Sequence, residues 1–284
     1  MNAITELRGF SKKEVLDVLR ARAARGEPIV GAGAGTGISA KCAQAGGADL
    51  IVIYNSGRFR MAGHGSLSGL MPYGDANQIV VEMAREVLPV VGRVPVLAGV
   101  CGTDPFRLMH VFLREIAAMG FSGVQNFPTV GLIDGQFRQN LEETGMSFSK
   151  EVAMIGLAND LRLLTTPYVF TPDQAALMAG VGADIVVAHM GLTTKGTIGA
   201  RTAMTLDDAV DRIQAIHDAA KKQRDDVLVI CHGGPVSEPD DVQYVLNRSR
   251  GVVGFFGASS VERLPTERAI TDQVAALKEV SLGP

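Results

Sequence analysis

Two apolar runs in this chain end in the same way. Residues 183–191 close on His189, Met190 and Gly191, and residues 227–234 close on His232, Gly233 and Gly234. An imidazole changes charge nearer neutrality than any other ordinary side chain, so two at matching positions suit general acid and base work. A lone strand-end histidine is often only a hydrogen-bonded structural residue; it is the pairing that favours chemistry. His110 and His217 fall inside helical patterns and read as structural.

Cationic and small polar residues gather after other apolar runs. Asn55, Ser56, Arg58, Arg60 and His64 follow residues 49–54, and Lys195 and Arg201 follow His189. Acidic residues are scarce in both loops, which would attract a small carboxylate or phosphate and let arginine grip it through two nitrogens. Gly233, Gly234 and Ser259, with Ser260, would add backbone N–H groups at turns and at a helix start, a natural place for an anion or simply a helix cap. The turn at residues 31–37 is rich in glycine, yet Thr36 stands where a dinucleotide fingerprint needs its third glycine and no acid ends the next run. Gly33 there remains a candidate for close ligand approach, with tight packing as the equal alternative.

Asp104 is the best-placed carboxylate, although Pro105 beside it also fits a helix start that Asp104 would cap. Gln125 and Asn126 are neutral hydrogen bonders suited to orienting a substrate. No apolar run contains a lysine for Schiff-base chemistry, and the run ends lack the clustered acids of a strong Mg2+ site. Metal-free acid/base chemistry on an anion fits best, with Mg2+ held by Asp104 left as an option.

These residues need strands to deliver them. Apolar runs at 28–33, 49–54, 94–100, 122–127, 162–169, 184–189, 227–232 and 252–257 alternate with helical patterns at 36–46, 74–90, 105–119, 148–160, 171–181, 205–223, 238–248 and 260–278. Eight such units predict an α/β fold, a (β/α)8 TIM barrel whose functional loops lie at the strand C-termini; an open doubly wound sheet is the alternative. Residues 45–57 also echo residues 179–191, each with Ala-Gly, Ala-Asp and an apolar run. Those copies would lie half a turn apart around an eight-fold ring. Ahead of the barrel, Ser11 and Glu14 form a capping-box pattern for an amphipathic helix, so residues 1–27 read as a helical extension and 28–284 as the barrel domain. That helix would plug the barrel bottom or pack on another subunit.

At 284 residues, 46% apolar and with a net charge of −3, the chain reads as a soluble globular protein with no basic surface for nucleic acid. Its first residues are of mixed charge, and no apolar run is long enough to span a bilayer, which predicts a cytoplasmic protein without membrane partners. Cys42, Cys101 and Cys231 lack metal or disulfide spacing and read as reduced thiols.

Several stretches together resemble one family. Residues 31–39, 53–60, 100–105, 125–131, 188–193, 231–235 and 257–260 are similar to the phosphoenolpyruvate hydrolase-like TIM-barrel family, seen also as the C-terminal domain of plant tobamovirus-resistance proteins. The resemblance implies a barrel related to phosphoenolpyruvate- and pyruvate-binding enzymes, and a small phosphorylated or carboxylated substrate. Where the related mutases and lyases hold Mg2+ with several strand-end acids, this sequence offers Asp104. The expected function is therefore a hydrolase or lyase of a phosphoenolpyruvate-type oxyacid. Arg58 and Lys195 would hold the anion with the amides of Gly233, Gly234 and Ser259. His189 and His232 would exchange protons, while Asn55, Ser56, Gln125, Asn126 and Asp104 orient substrate, water or a metal. The alternatives are a ligand-sensing or protein-binding barrel and a metal-dependent carbon–carbon lyase; the first helix adds the expectation of a homo-oligomer.

Overall fold

The computed structural model describes residues 10–283, so the mixed-charge first residues, 1–9, lie outside the described part. Its strands are β1 (Ile29–Gly33), β2 (Leu50–Ile53), β3 (Val96–Val100), β4 (Gly123–Asn126), β5 (Leu164–Thr165), β6 (Tyr168–Val169), β7 (Ile185–His189), β8 (Leu228–His232) and β9 (Gly254–Gly257). All pair in parallel, in the order β5-β4-β3-β2-β1-β9-β8-β7-β6. Every residue of β2, β3, β7 and β8 is buried. Parallel strands covered on both faces read as unbroken apolar runs, and for this reason the sequence located them so closely.

The run expected as one strand at 162–169 forms two short strands. Pro167, lacking an N–H, interrupts the ladder between β5 and β6. Before the break, the Thr166 N–H donates to Val124 O (3.0 Å); after it, the Pro167 carbonyl accepts from Val187 N (2.9 Å). The side chain of Asn126 bridges the gap, its Oδ1 accepting from Tyr168 N (2.7 Å) and its Nδ2 donating to Tyr168 O (3.3 Å). The two ends of the sheet thus meet in one segment, and the eight-fold barrel closes there.

The outer helices are α1 (Lys12–Ala24), α2 (Gly37–Ala45), α3 (Asn55–Met61), α4 (Ala76–Val87), α5 (Met109–Ala118), α6 (Gly135–Glu143), α7 (Phe148–Asp160), α8 (Pro172–Gly180), α9 (Leu206–Gln223), α10 (Pro239–Arg248) and α11 (Arg263–Lys278). Helices α3 and α6 lie outside the helical patterns read from the sequence. Helix α5 starts four residues later than expected, so Asp104 does not cap it; the Asp104 carboxylate instead accepts from Phe106 N (2.9 Å) in the preceding turn. No helix among the described residues is long and apolar enough to cross a membrane.

Helix α1 plugs the barrel bottom. Its capping box between Ser11 and Glu14 forms as expected, and Val15, Leu16 and Leu19 are buried. Lys12 pairs with Asp184 before β7 (2.9 Å), Arg22 with Asp49 before β2 (3.1 Å), and Arg20 with Asp226 before β8 (3.2 Å). The two aspartates of the internal echo have one role. Asp49 accepts the Val30 N–H (2.8 Å) and Asp184 accepts the Thr165 N–H (2.9 Å), each tying its strand to a neighbour and offering its other oxygen to α1. Lys12 and Arg22 are ten residues apart, about 15 Å along a helix, which spans the barrel floor.

At the other end of the chain, α11 stands off. Only Arg263 and Leu264 of this helix are buried, and Ile270, Val274 and Leu277, spaced for one face, are 60%, 55% and 60% exposed. A groove runs between it and α2, walled by Ala32, Ile38, Ala43 and Ile270.

Candidate functional site

His189 and His232 are register partners on adjacent strands, β7 and β8. Their rings therefore emerge side by side at the C-terminal mouth, with centroids 4.5 Å apart. Hydrogen-bond partners assign their protons. His232 Nδ1 faces the carbonyl of Phe256 at 2.5 Å; a carbonyl can only accept, so this nitrogen carries hydrogen and Nε2 carries the lone pair. His189 Nδ1 accepts the Gly191 N–H at 3.0 Å, which leaves the hydrogen of a neutral ring on Nε2. Burial pushes His189 well below the usual histidine range, assisted by His232, and pushes His232 down to about 4. Near neutral pH, one ring thus offers an acceptor and its neighbour a donor.

These rings line a narrow cleft together with Tyr54, Arg60, Tyr168 and Ser259. The Tyr168 ring lies 4.8 Å from His189 and 4.9 Å from His232, and Phe127 and Phe170 extend the aromatic wall. Arg60, 3% exposed, reaches in from α3. Its Nη2 pairs with Glu262 (3.2 Å), its guanidinium lies 5.3 Å from the centre of the Tyr54 ring, and its Nε has no hydrogen-bond partner among the described residues. Desolvation opposes charge on Arg60, but the neighbouring Tyr54 and Glu262 outweigh it and hold the guanidinium above its ordinary value.

Other residues expected at the site are placed as follows. Ser56 and Ser259 line the cleft; Ser56 Oγ donates to Ser66 O (2.6 Å), and the hydroxyls of Ser66 and Ser259 lie 3.4 Å apart. Gly33 packs beneath, where a Cβ would come within 3.1 Å of Ala258 and 3.4 Å of Arg60. The Gly233 amide has no partner among the described residues, whereas the Gly234 N–H donates to Gly191 O (2.8 Å). Asn55 anchors the 66–70 turn by donating to Gly69 O (2.8 Å). Gln125 is buried and donates to Thr166 O (3.1 Å), and Asn126 serves the strand break.

Three residues lie elsewhere. Arg58, two positions from Arg60 on α3, faces outward and pairs with Glu82 (2.7 Å). Lys195 pairs with Asp241 (3.3 Å) at the surface. Asp104 is held by Asn77 (2.8 Å) and Arg107 (3.2 Å) in a separate apolar groove, shared with Cys101 and Phe106. The glycine turn after β1 is occupied by the protein's own carboxylates: Gly35 N donates to Glu262, which also accepts from Ser39 Oγ (2.5 Å), and Gly37 N donates to Glu86 (2.6 Å). Cys231 is buried, and desolvation lifts its thiol to about 12, so it is inert packing.

Sequence reasoning missed Tyr168 and Glu151. Tyr168 follows the Thr-Thr-Pro break, a local cue; Glu151 gave none. Glu151 on α7 is fully buried and accepts from Asn126 Nδ2 (2.6 Å), Thr129 Oγ1 (2.7 Å) and Val130 N (2.8 Å). Desolvation nevertheless raises it to about 7.

The donor set does not suit Mg2+, which prefers an octahedron of oxygens with one or two carboxylates. The cleft presents two imidazoles, phenols, hydroxyls and a guanidinium, and Glu262, the carboxylate paired with Arg60, is also committed to Gly35 and Ser39. Among the described residues no three His, Cys, Asp or Glu side chains cluster to hold a metal.

Fold and cleft define a (β/α)8 barrel with an imidazole pair and a buried arginine at its C-terminal mouth. The chain belongs to the phosphoenolpyruvate hydrolase-like family, whose pattern it matches over residues 14–280. Among its relatives is the ToMV resistance protein Tm-1(GCR237) of Solanum lycopersicum, 62% identical over 268 residues, covering 94% of this chain and 36% of that protein. The ToMV susceptible protein tm-1(GCR26) of the same plant matches equally, and this chain spans about a third of either. Among solved structures, phosphonopyruvate hydrolase in complex with oxalate and Mg2+ aligns with TM-score 0.60 and 16% identity, over 95% of this chain and 87% of that one. Oxaloacetate acetylhydrolase aligns with TM-score 0.61 and 14% identity, over 98% and 91%. At such identities the likeness is one of fold.

Proposed function

We propose that this protein is a cytoplasmic hydrolase or lyase of a small oxyacid anion of the phosphoenolpyruvate or keto-acid type. One observation carries the reading: His189 and His232 stand side by side with their free Nε2 atoms in opposite states, one protonated and one not. His232 Nε2 would take a proton from water or substrate, and His189 Nε2–H would give one to the leaving atom. Arg60, in place of Arg58 and Lys195, would hold the carboxylate or phosphate, with the Gly233 amide and Ser259 beside it. The solved neighbours named for phosphonopyruvate and oxaloacetate chemistry support this substrate class, and the three free cysteines suit a reducing compartment.

The test is turnover of phosphoenolpyruvate, phosphonopyruvate and oxaloacetate, with and without Mg2+, by the wild type and by His189→Asn and His232→Asn. Full activity in both variants would sink the assignment. The exposed face of α11 favours one addition, a homo-oligomer in which a second copy covers Ile270, Val274 and Leu277.

A further inference from the structure

We infer that Tyr168 is a third catalytic residue of this cleft, its phenolic O–H donating to the substrate oxygen on which negative charge develops, and that Asn126 and Glu151 position it. The inference rests on reading the cleft as an acid/base site for an anion. Tyr168 is 1% exposed, yet its hydroxyl has no hydrogen-bond partner among the described residues. An unpaired buried hydroxyl is destabilising, and native chains rarely retain one without a use. For packing alone, a phenylalanine would fill the same space between the two imidazoles without that penalty.

The chain also fixes this residue with unusual care. Pro167 breaks the strand immediately before it, and the Asn126 carboxamide grips both its N–H and its carbonyl. A carboxamide can be reversed, which would set its donors against the Tyr168 N–H. Glu151 prevents this by accepting from Asn126 Nδ2, so that Oδ1 must face Tyr168. The pair therefore decides where the phenol points. Burial, and behind it the neighbouring phenol of Tyr54, push the Tyr168 hydroxyl well above its ordinary range, although the two phenols do not reach hydrogen-bond geometry. The hydroxyl consequently stays protonated, a donor to an oxyanion like those of preorganised oxyanion holes, and no proton need leave it.

Tyr168→Phe removes one oxygen and keeps the ring. Without ligand, the variant should melt at or above the wild-type temperature. With oxalate, the ligand seen in the phosphonopyruvate hydrolase neighbour, the wild type should be stabilised and the variant should bind about 10-fold or more weakly. On any substrate turned over, kcat should fall about 10²-fold or more with KM changed little. For the positioning pair, oxalate affinity is followed from pH 5.5 to 8.5, where oxalate stays ionised. The wild type should show a step near neutrality that Glu151→Gln lacks.

Unaltered oxalate binding and turnover in Tyr168→Phe would overturn the inference and leave the acid/base reading standing. A variant melting several degrees lower would overturn it too, because the hydroxyl would then have a structural partner. A wild type stabilised by neither oxalate, phosphate nor phosphoenolpyruvate would overturn both the anion site and this inference. Identical pH profiles in wild type and Glu151→Gln would remove Glu151 from the positioning pair.

Discussion

Glu151→Gln should change how the stability of this barrel depends on pH. The Glu151 carboxyl moves from an ordinary value of 4.5 to about 7 on folding, chiefly because burial disfavours its charge; the bonds from Thr129, Val130 and Asn126 offset only part of that. Between these two values the folded chain keeps a proton that the unfolded chain has lost. Stability therefore falls as pH rises through the window and levels off above it. At a little over 1 kcal/mol per pH unit, the contribution between pH 5 and pH 8 integrates to roughly 2–3 kcal/mol. Glutamine has nearly the same shape and can still accept the Val130 N–H, but its amide meets the Asn126 amide donor to donor, a penalty independent of pH. His189 and His232, lowered on folding, give the opposite slope, with stability lost as pH falls below 6.5, for His232 through about 4. Both histidines are present in both proteins and cancel in the difference. Urea unfolding of wild type and variant at pH 5 and pH 8 should thus show the variant gaining roughly 2–3 kcal/mol on the wild type at the higher pH. A difference that stays constant between the two would refute an ionisable Glu151 in the core.

Four other outcomes are expected. His189→Asn and His232→Asn should each lower kcat by about 10²- to 10⁴-fold while leaving the circular dichroism spectrum unchanged. Arg60→Lys, which can still pair with Glu262, should weaken oxalate binding about tenfold in a titration, whereas Arg58→Ala should leave it unaltered. Lys12→Met should lower unfolding free energy by about 3 kcal/mol in urea, since Asp184, almost wholly buried, loses its cation. Light scattering should find the wild type larger than a monomer and Ile270→Asp/Val274→Asp reduced to one, because charge on that face blocks apolar association.

The sequence made some of this visible and hid the rest for identifiable reasons. The runs ending at His189 and His232 were legible because a doubly covered parallel strand must be apolar along its length, so a lone polar residue at its end is conspicuous. Helix α1 was announced by Ser11 and Glu14, which cap it through local bonds. Arg58 and Arg60 were harder. With 55–61 taken as a loop the two are interchangeable, but on a helix they are about 200° apart, and only one can face the cleft. Glu151 and Glu262 escaped because their partners come from distant segments, Asn126 and Thr129 for one, Gly35 and Arg60 for the other. The break at Pro167 was printed in the sequence, yet its consequence depends on the Asn126 side chain replacing missing ladder bonds.

Helix α1 ties together the starts of strands in opposite halves of the barrel, and this bears on how the chain reaches its native state. It is synthesised before both halves, yet its Lys12 partner Asn159 follows 147 residues later, and Asp184 later still. Its apolar face and cations have no complete receptor until the second half has been made and the ring has closed. A helix made before the strands it serves is thus among the last elements to be satisfied, a long-range contact that slows folding and leaves α1 waiting. A docked α1 reports a finished barrel, and its protection from proteolysis or hydrogen exchange would time the closure of the whole ring.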